Sequence, residues 1–173
     1  MLQFHADVTN KSVLSLRDGH PVGRILSAII NPDNLKVEGF YCTRLRHRDA
    51  YILLCQDIRE MAPKGYIVND IEVLTEPHEL VRLKRILDAD FEPIGKQVRT
   101  VSGKKVGKVS EYAVETKTFY IQKLYVSRSL IRSLNGNSFL VIDRSQVNEI
   151  TDKAIIINDL EGTVPAVEPV PVA

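Results

Sequence analysis

The sequence predicts a mainly β fold: two small β-barrels in tandem, joined by a short α-helical linker. Three observations carry this. One block of residues occurs twice, each copy is cut into short apolar runs separated by turn signals, and one stretch of helical spacing stands between the copies.

The block Asp18-Gly19-His20-Pro21-Val22-Gly23-Arg24-Ile25 returns 84 residues later as Ser102-Gly103-Lys104-Lys105-Val106-Gly107-Lys108-Val109. Further on, Tyr66-Ile67-Val68-Asn69-Asp70 returns 89 residues later as Ile155-Ile156-Ile157-Asn158-Asp159. The second copy therefore carries about five extra residues between the blocks, placed in 127–137. Self-similarity at a fixed offset marks one structural unit used more than once. The predicted domains are 1–76, a linker at 77–93, 94–161 and a disordered, Pro/Val-rich tail at 162–173.

Within each copy the elements follow from local pattern. Ser12 to Arg17 and Lys96 to Val101 read as opening strands. Asp18-Gly19 and Ser102-Gly103 read as tight hairpin turns, where glycine supplies positive φ without steric cost. Val22 to Ile30 and Val106 to Val114 follow as second strands. Leu35 to Leu45 and Phe119 to Val126 alternate as third strands, with branched and aromatic residues that suit a pleated, half-buried surface. Tyr51 to Cys55 and Ser138 to Ile142 are the fourth. A short turn over Gln56 to Met61 or Arg144 to Glu149 leads to Ile67-Val68 or Ile155 to Ile157. Five or six short strands in so few residues predict a small barrel, which removes open sheet edges.

In the linker, Leu80, Val81, Leu83, Lys84, Ile86 and Leu87 carry helical spacing. Pro77 suits a helix start and Phe91-Glu92-Pro93 a stop. The apolar stripe is expected to pack against its neighbours rather than to serve as a free recognition helix. In the tail, Pro165, Pro169 and Pro171 cannot donate ladder hydrogen bonds, so an extended end is expected.

Composition narrows the function. The chain has 173 residues, 44% hydrophobic and 26% charged, with net charge +1. That excludes a disordered or fibrous chain and gives the whole molecule no strong pull toward nucleic acid or anionic membrane. No apolar run approaches the roughly 20 residues needed to cross a bilayer. Met1 to Asn10 lacks a basic segment followed by an apolar one, so no signal peptide is expected. Cys42 and Cys55 each sit in a β-like apolar run and read as buried hydrophobes in a reduced, cytoplasmic setting.

The layout resembles the PRC-barrel family, small β-barrels named after the photosynthetic reaction-centre H subunit. The matching residues are Gly19-x-x-Val22-Gly23 and Gly103-x-x-Val106-Gly107, then Tyr51-Ile52, Asp57-Ile58 and Ile67-Val68-Asn69-Asp70. The linker from Glu79 to Leu87, followed by Phe91-x-x-Ile94-Gly95-Lys96-x-Val98, looks like the junction of tandem members. The first copy fits best; in the second, Lys123 stands for Gly39 and Gln146 for Asp57. The resemblance implies protein contact rather than catalysis, as in the reaction-centre subunit and in a ribosome-maturation factor. It carries over no catalytic residues.

The search for chemistry agrees with that expectation. His5, His20, His47 and His78 are scattered and lack metal-ligand spacing. Gly103 to Lys108 has three residues between its glycines rather than the four of a phosphate loop, and reads as a hairpin. No nucleophile elbow occurs. No enzyme, cofactor or metal is expected. Charge is the informative feature. Residues 1–76 hold 9 basic and 10 acidic groups, whereas 94–161 hold 11 basic and 7 acidic. The candidate contacts for a protein or nucleic-acid partner are Arg44, Arg46 and Arg48 in one turn, and Lys104, Lys105, Lys108, Lys123, Arg128 and Arg132 in the second copy. The plain alternative is a solvated basic surface. The expected function is a non-catalytic adaptor that binds another protein, with an RNA- or ribosome-associated factor as the alternative and homodimerisation left open.

Overall fold

The structure, a computed structural model, describes residues 1–47, 49–127 and 139–159. The chain is mainly β and divides into two compact units. The first comprises Met1–Phe91 with Val114–Tyr120, and the second Glu92–Ala113 with Ile121–Ala173.

The first unit opens with β1 (Leu2–Phe4) and a single helical turn, α1 (His5–Val8). Its sheet is built from β2 (Ser12–Ser15), β3 (Pro21–Asn31), β4 (Lys36–Arg44), β5 (Ala50–Leu54), β6 (Glu60–Ala62), β7 (Gly65–Val68) and β8 (Leu74–Thr75). The strand order is β6-β7-β2-β3-β4-β5-β8. The pairing of β2 with β7 is parallel; it joins the opening strand to a late one, Val13 opposite Tyr66. Alternation sets the burial. Val37, Phe40 and Cys42 of β4 are inside, with the Phe40 and Tyr66 rings stacked at 5.1 Å. The Tyr66 hydroxyl donates to the Val8 carbonyl at 2.7 Å, which ties α1 to the core and satisfies a buried acceptor. Gly23 has a steric reason: a Cβ there would sit well inside van der Waals contact with the Thr43 carbonyl oxygen.

After β8 the chain makes 3-10 turns at Pro77–Glu79 and Val81–Leu83 before α2 (Lys84–Ala89). The true α-helix is thus only six residues, far shorter than the predicted 77–93. Leu80, at φ −92° and ψ 60°, interrupts it, and Asp90 at φ 42° ends it. The apolar stripe lies on the first sheet: Ile86 packs with Ile29 and Ile52, flanked by Tyr41, Leu54, Leu80, Leu83 and Leu87. An Arg85–Asp33 ion pair closes the outer side.

Two turns of the first unit share a backbone signature. Leu35 and Phe119 both take left-handed φ, 59° and 60°. Their N–H groups donate four residues back, to Asn31 at 2.9 Å and Glu115 at 2.8 Å. Asn31 and Asn34 side chains brace the first turn. In the second, Glu115 accepts from the Lys117 and Thr118 N–H groups and from the Met1 ammonium. The ammonium is the chief reason the Glu115 carboxyl lies down at about 2.

The second unit is built from β9 (Gln97–Thr100), β10 (Lys105–Glu115), β11 (Ile121–Ser127), β12 (Phe139–Asp143), β13 (Val147–Ile150) and β14 (Ala154–Ile157), in the order β12-β11-β10-β9-β14-β13. Read from β13, this is the order of the first sheet from β6 to β5; among the described residues nothing stands in the place of β8, and β1 pairs with β10 off the path. Strands β9 and β14 are again parallel, Val98 opposite Ile155. Gly107 lies under the Ser127 carbonyl as Gly23 lies under that of Thr43.

Three features differ from the sequence expectation. Strands β6 and β13 form where only a turn was predicted, because the 3-10 turns Cys55–Asp57 and Arg144–Gln146 end early enough for the chain to pair with β7 and β14. Neither strand path returns on itself, so no hydrogen-bonded ring closes among the described residues. The repeat offset is not constant either. The Ser15 N–H reaches His20, five residues on, whereas that of Thr100 reaches Lys104, four on. The first hairpin is one residue longer, so the opening strands correspond at 85 rather than 84. The expected insertion at 127–137 and the tail at 162–173 fall, apart from Ser127, outside the described residues.

Candidate functional site

Each unit presents a hairpin built on the same plan. In the first, β2 ends at Ser15, buried to 4% exposure. Its hydroxyl donates to Asp18 in the same turn, and the Asp18 N–H returns to it at 3.2 Å. Leu16 follows, with its N–H fixed to the Val68 carbonyl at 3.0 Å and 62% of its surface exposed. In the second, β9 ends at Thr100, also 4% exposed, and Val101 follows at 52%. The Val101 N–H is fixed to the Ile157 carbonyl at 2.9 Å. Backbone and hydroxyl are thus held in both hairpins while an apolar side chain is left in water.

The second hairpin finds its carboxylate elsewhere. Thr100 and Ser102 share a hydroxyl contact at 2.8 Å, and Ser102 donates to Asp159 at 2.7 Å. Asp159 is held below the ordinary carboxylate range by the Ser102 hydroxyl first, then the Thr100 hydroxyl, the Ser102 N–H and the Lys104 charge. Lys104 and Lys105 lie in this hairpin and Lys108 on β10, all three exposed. Lys123 sits apart on β11, opposite Asp143 of β12. The Ser145 N–H and hydroxyl lower the Asp143 carboxyl, with smaller contributions from Lys123 and Arg144. The structure therefore brings Lys104, Lys105 and Lys108 together on one hairpin and leaves Lys123 facing its own acidic neighbour.

The basic turn after β4 is divided in the same way. The Arg44 guanidinium stacks over the Tyr51 ring at 4.3 Å, and its Nη2 donates to the carbonyls of Ile71 at 3.0 Å and Leu74 at 2.8 Å. Arg44 is thus a clasp between β5 and β8. Sequence reasoning missed this because both acceptors are main-chain oxygens some 30 residues away. Arg46 stands exposed at φ 69° beside exposed Leu45. Arg48, Arg128 and Arg132 lie outside the described residues.

Among the described residues, no three His, Cys, Asp or Glu side chains gather as a metal site. His20 Nδ1 lies 2.8 Å from the Pro21 carbonyl oxygen, His47 meets the Tyr51 ring edge-on, and His78 pairs with Glu76. Cys42 and Cys55 are free and buried. Burial pushes both thiols up, Cys42 to about 12, which keeps them protonated and unreactive. A cleft between α2 and the first sheet, lined by residues that include Ala28, Tyr41, Leu87 and Asp90, encloses only about 10 Å³. That is far below the roughly 300–1,000 Å³ of small-molecule sites. No described helix is long and apolar enough to cross a membrane.

Residues 87–164 match the PRC-barrel domain, and no curated protein matches the chain. The match begins inside α2 and takes in every strand of the second unit. It therefore falls on the second copy, although the first was expected to fit best. The first unit departs in its filling: Phe40 and Tyr66 stand where the second has Leu124 and Ile155.

Proposed function

We propose that the chain is a tandem of two PRC-type units and acts as a non-catalytic adaptor that binds another protein. The tandem reading is supported by the shared strand order, the shared parallel pair and the glycines under a neighbouring carbonyl. The adaptor reading rests on one observation: Leu16 and Val101, more than half exposed, occupy the same place on the same hairpin in both units. Single exposed apolar residues are ordinary. Two at matched positions, each on a backbone pinned to the strand that pairs parallel with the opening strand, form a repeated pair of anchors for apolar pockets on a partner. The buried, protonated thiols fit a reducing compartment.

The test is a tagged recovery from native cells with the wild-type chain and with Leu16→Asp/Val101→Asp, each with and without nuclease. Exposed substitutions of this kind change stability by only about 0.5 kcal/mol, so the melting temperature should hold. Loss of a nuclease-resistant partner from the variant alone is the expected result; equal recovery by both chains would sink the reading. A second reading, RNA or ribosome association, is favoured by the exposure of Lys104, Lys105 and Lys108 on one hairpin. It expects recovery that disappears with nuclease, falls steeply with salt and is lost in Lys104→Glu/Lys105→Glu/Lys108→Glu.

A further inference from the structure

We propose that the partner segment seated at the second hairpin is acidic as well as aliphatic, with carboxylates that meet Arg99 and Lys105. The inference rests on the adaptor reading and names the chemistry of the partner at one of its two anchors.

Pairing and alternation fix which side chains stand beside that anchor. In β9, Val98 and Thr100 are buried, so Arg99 between them points out. The exposed anchor Val101 follows two residues on. Arg99 lies directly opposite Lys105 of β10 and, across the parallel pair, opposite Ile156 of β14. Ile156 is half-buried between the fully buried Ile155 and Ile157. Lys108, opposite Gln97, stands one step along the same face. The outer face of this hairpin therefore carries two aliphatic side chains, Val101 and Ile156, beside three cations.

The first hairpin has the same register and a different flank. Leu14 lies opposite Pro21 of β3 and Ile67 of β7, Ser12 lies opposite Arg24, and Leu16 follows. The aliphatic pair is thus kept, Leu16 with Ile67 and Val101 with Ile156. One cation is kept too, Arg24 and Lys108. What changes is the pair between them: Leu14 and Pro21 in the first unit become Arg99 and Lys105 in the second. Like charges directly opposite each other on neighbouring strands destabilise a sheet. Among the described residues no carboxylate is paired with either cation. Glu149 does lie on this face, opposite Ile156, but Glu60 takes the same place opposite Ile67 and so does not answer the added charge. Asp159 is turned to the Ser102 hydroxyl. A repelling pair of cations beside an aliphatic anchor complements a segment whose carboxylates flank an aliphatic side chain. The side chains that border Arg99 are aliphatic, whereas single-stranded nucleic acid is held by rings on which its bases stack. The face therefore favours a protein segment.

The test measures binding to the full chain by fluorescence anisotropy. The probes are short labelled peptides that alternate Leu with Glu, Leu with Gln or Leu with Lys, and a short oligouridine. Wild type is expected to bind the Leu/Glu peptide about tenfold more tightly than the Leu/Gln peptide, with the preference shrinking as salt rises. Arg99→Gln/Lys105→Gln should abolish the preference and melt no lower than wild type, because it removes a repulsion rather than a bond. Val101→Asp should weaken both peptides. The proposal is overturned by a preference that survives Arg99→Gln/Lys105→Gln, by equal binding of the Leu/Lys peptide, by tighter binding of oligouridine, or by no peptide binding. A lower melting temperature for Arg99→Gln/Lys105→Gln would also overturn it, by assigning the two cations to the fold. The adaptor reading is decided separately, by recovery of the native partner. If that partner is lost from Leu16→Asp/Val101→Asp yet kept by Arg99→Gln/Lys105→Gln, the adaptor reading stands and this inference alone fails.

Discussion

The two units share a frame and differ in how they fill it. The first closes its core with aromatic rings, Phe40 on Tyr66, and anchors the Tyr66 hydroxyl on Val8. At the corresponding positions the second uses Leu124 and Ile155, both fully buried and aliphatic. The hairpins diverge too. Ser15 takes its carboxylate from Asp18, three residues away, whereas the Thr100–Ser102 pair takes it from Asp159, beyond β14. What survives in both is strand order, the parallel pair and the glycines under Thr43 and Ser127. Topology and close backbone approach define this fold, while side-chain volume and polar partners vary as long as each site is filled and satisfied.

The largest expected effect comes from emptying the core on one side only. Phe40→Ala should cost about 3–5 kcal/mol and Leu124→Ala about 2–5 kcal/mol. Hydrogen exchange read unit by unit should show each loss confined to its own unit. Equal loss of protection in both would mean that they melt as one body, and that comparing them as separate frames is wrong. Next in size is Tyr66→Phe. It keeps the ring stack and removes the donor to the buried Val8 carbonyl, so about 1–3 kcal/mol should be lost in chemical denaturation. Loss of protection in α1 would locate the effect; an unchanged midpoint would mean that α1 is not held by this bond.

The smallest effect separates the hairpins by pH. The Asp159 carboxyl is lowered in the folded chain. It therefore contributes stability above its unfolded value, about pH 4, and loses that contribution as pH falls through the lower folded value. Asp159→Asn should melt below wild type at neutral pH and converge with it in acid. A gap that persists at low pH would assign the effect to packing rather than to the charge.

Much of this frame was legible in the residues. Gly23 and Gly107 stood out because a close approach tolerates no Cβ, and a glycine required by geometry recurs wherever the geometry does. Alternation placed β3, β4, β10 and β11 within a residue or two. Three things were hidden because they depend on distant partners. Strands β6 and β13 exist only through pairing with β7 and β14. The segment Val114–Tyr120 groups with the first unit through main-chain bonds such as Val37 N–H to the Phe119 carbonyl, which no spacing announces. Arg44 carried the charge of a contact residue, yet its Nη2 is turned to two main-chain carbonyls and its plane lies on the Tyr51 ring. At the candidate site, the basic hairpin was legible from composition. The matched Leu16 and Val101 were not, because their correspondence is offset by one residue from the repeat that sequence comparison finds.

The parallel pairing of β2 with β7 and of β9 with β14 has a consequence for how the chain is made. Each opening strand waits for a partner more than 50 residues downstream, Ser12 for Gly65 and Gln97 for Ala154. At about 5–20 residues per second of synthesis, that is a delay of roughly 3–10 s in which one side of the opening strand has no neighbour. Non-local pairing of this kind also slows folding itself. A nascent chain paused between β10 and β14 would expose the β9 edge for as long as the pause lasts, which makes that interval the point at which chaperones or misassociation would act.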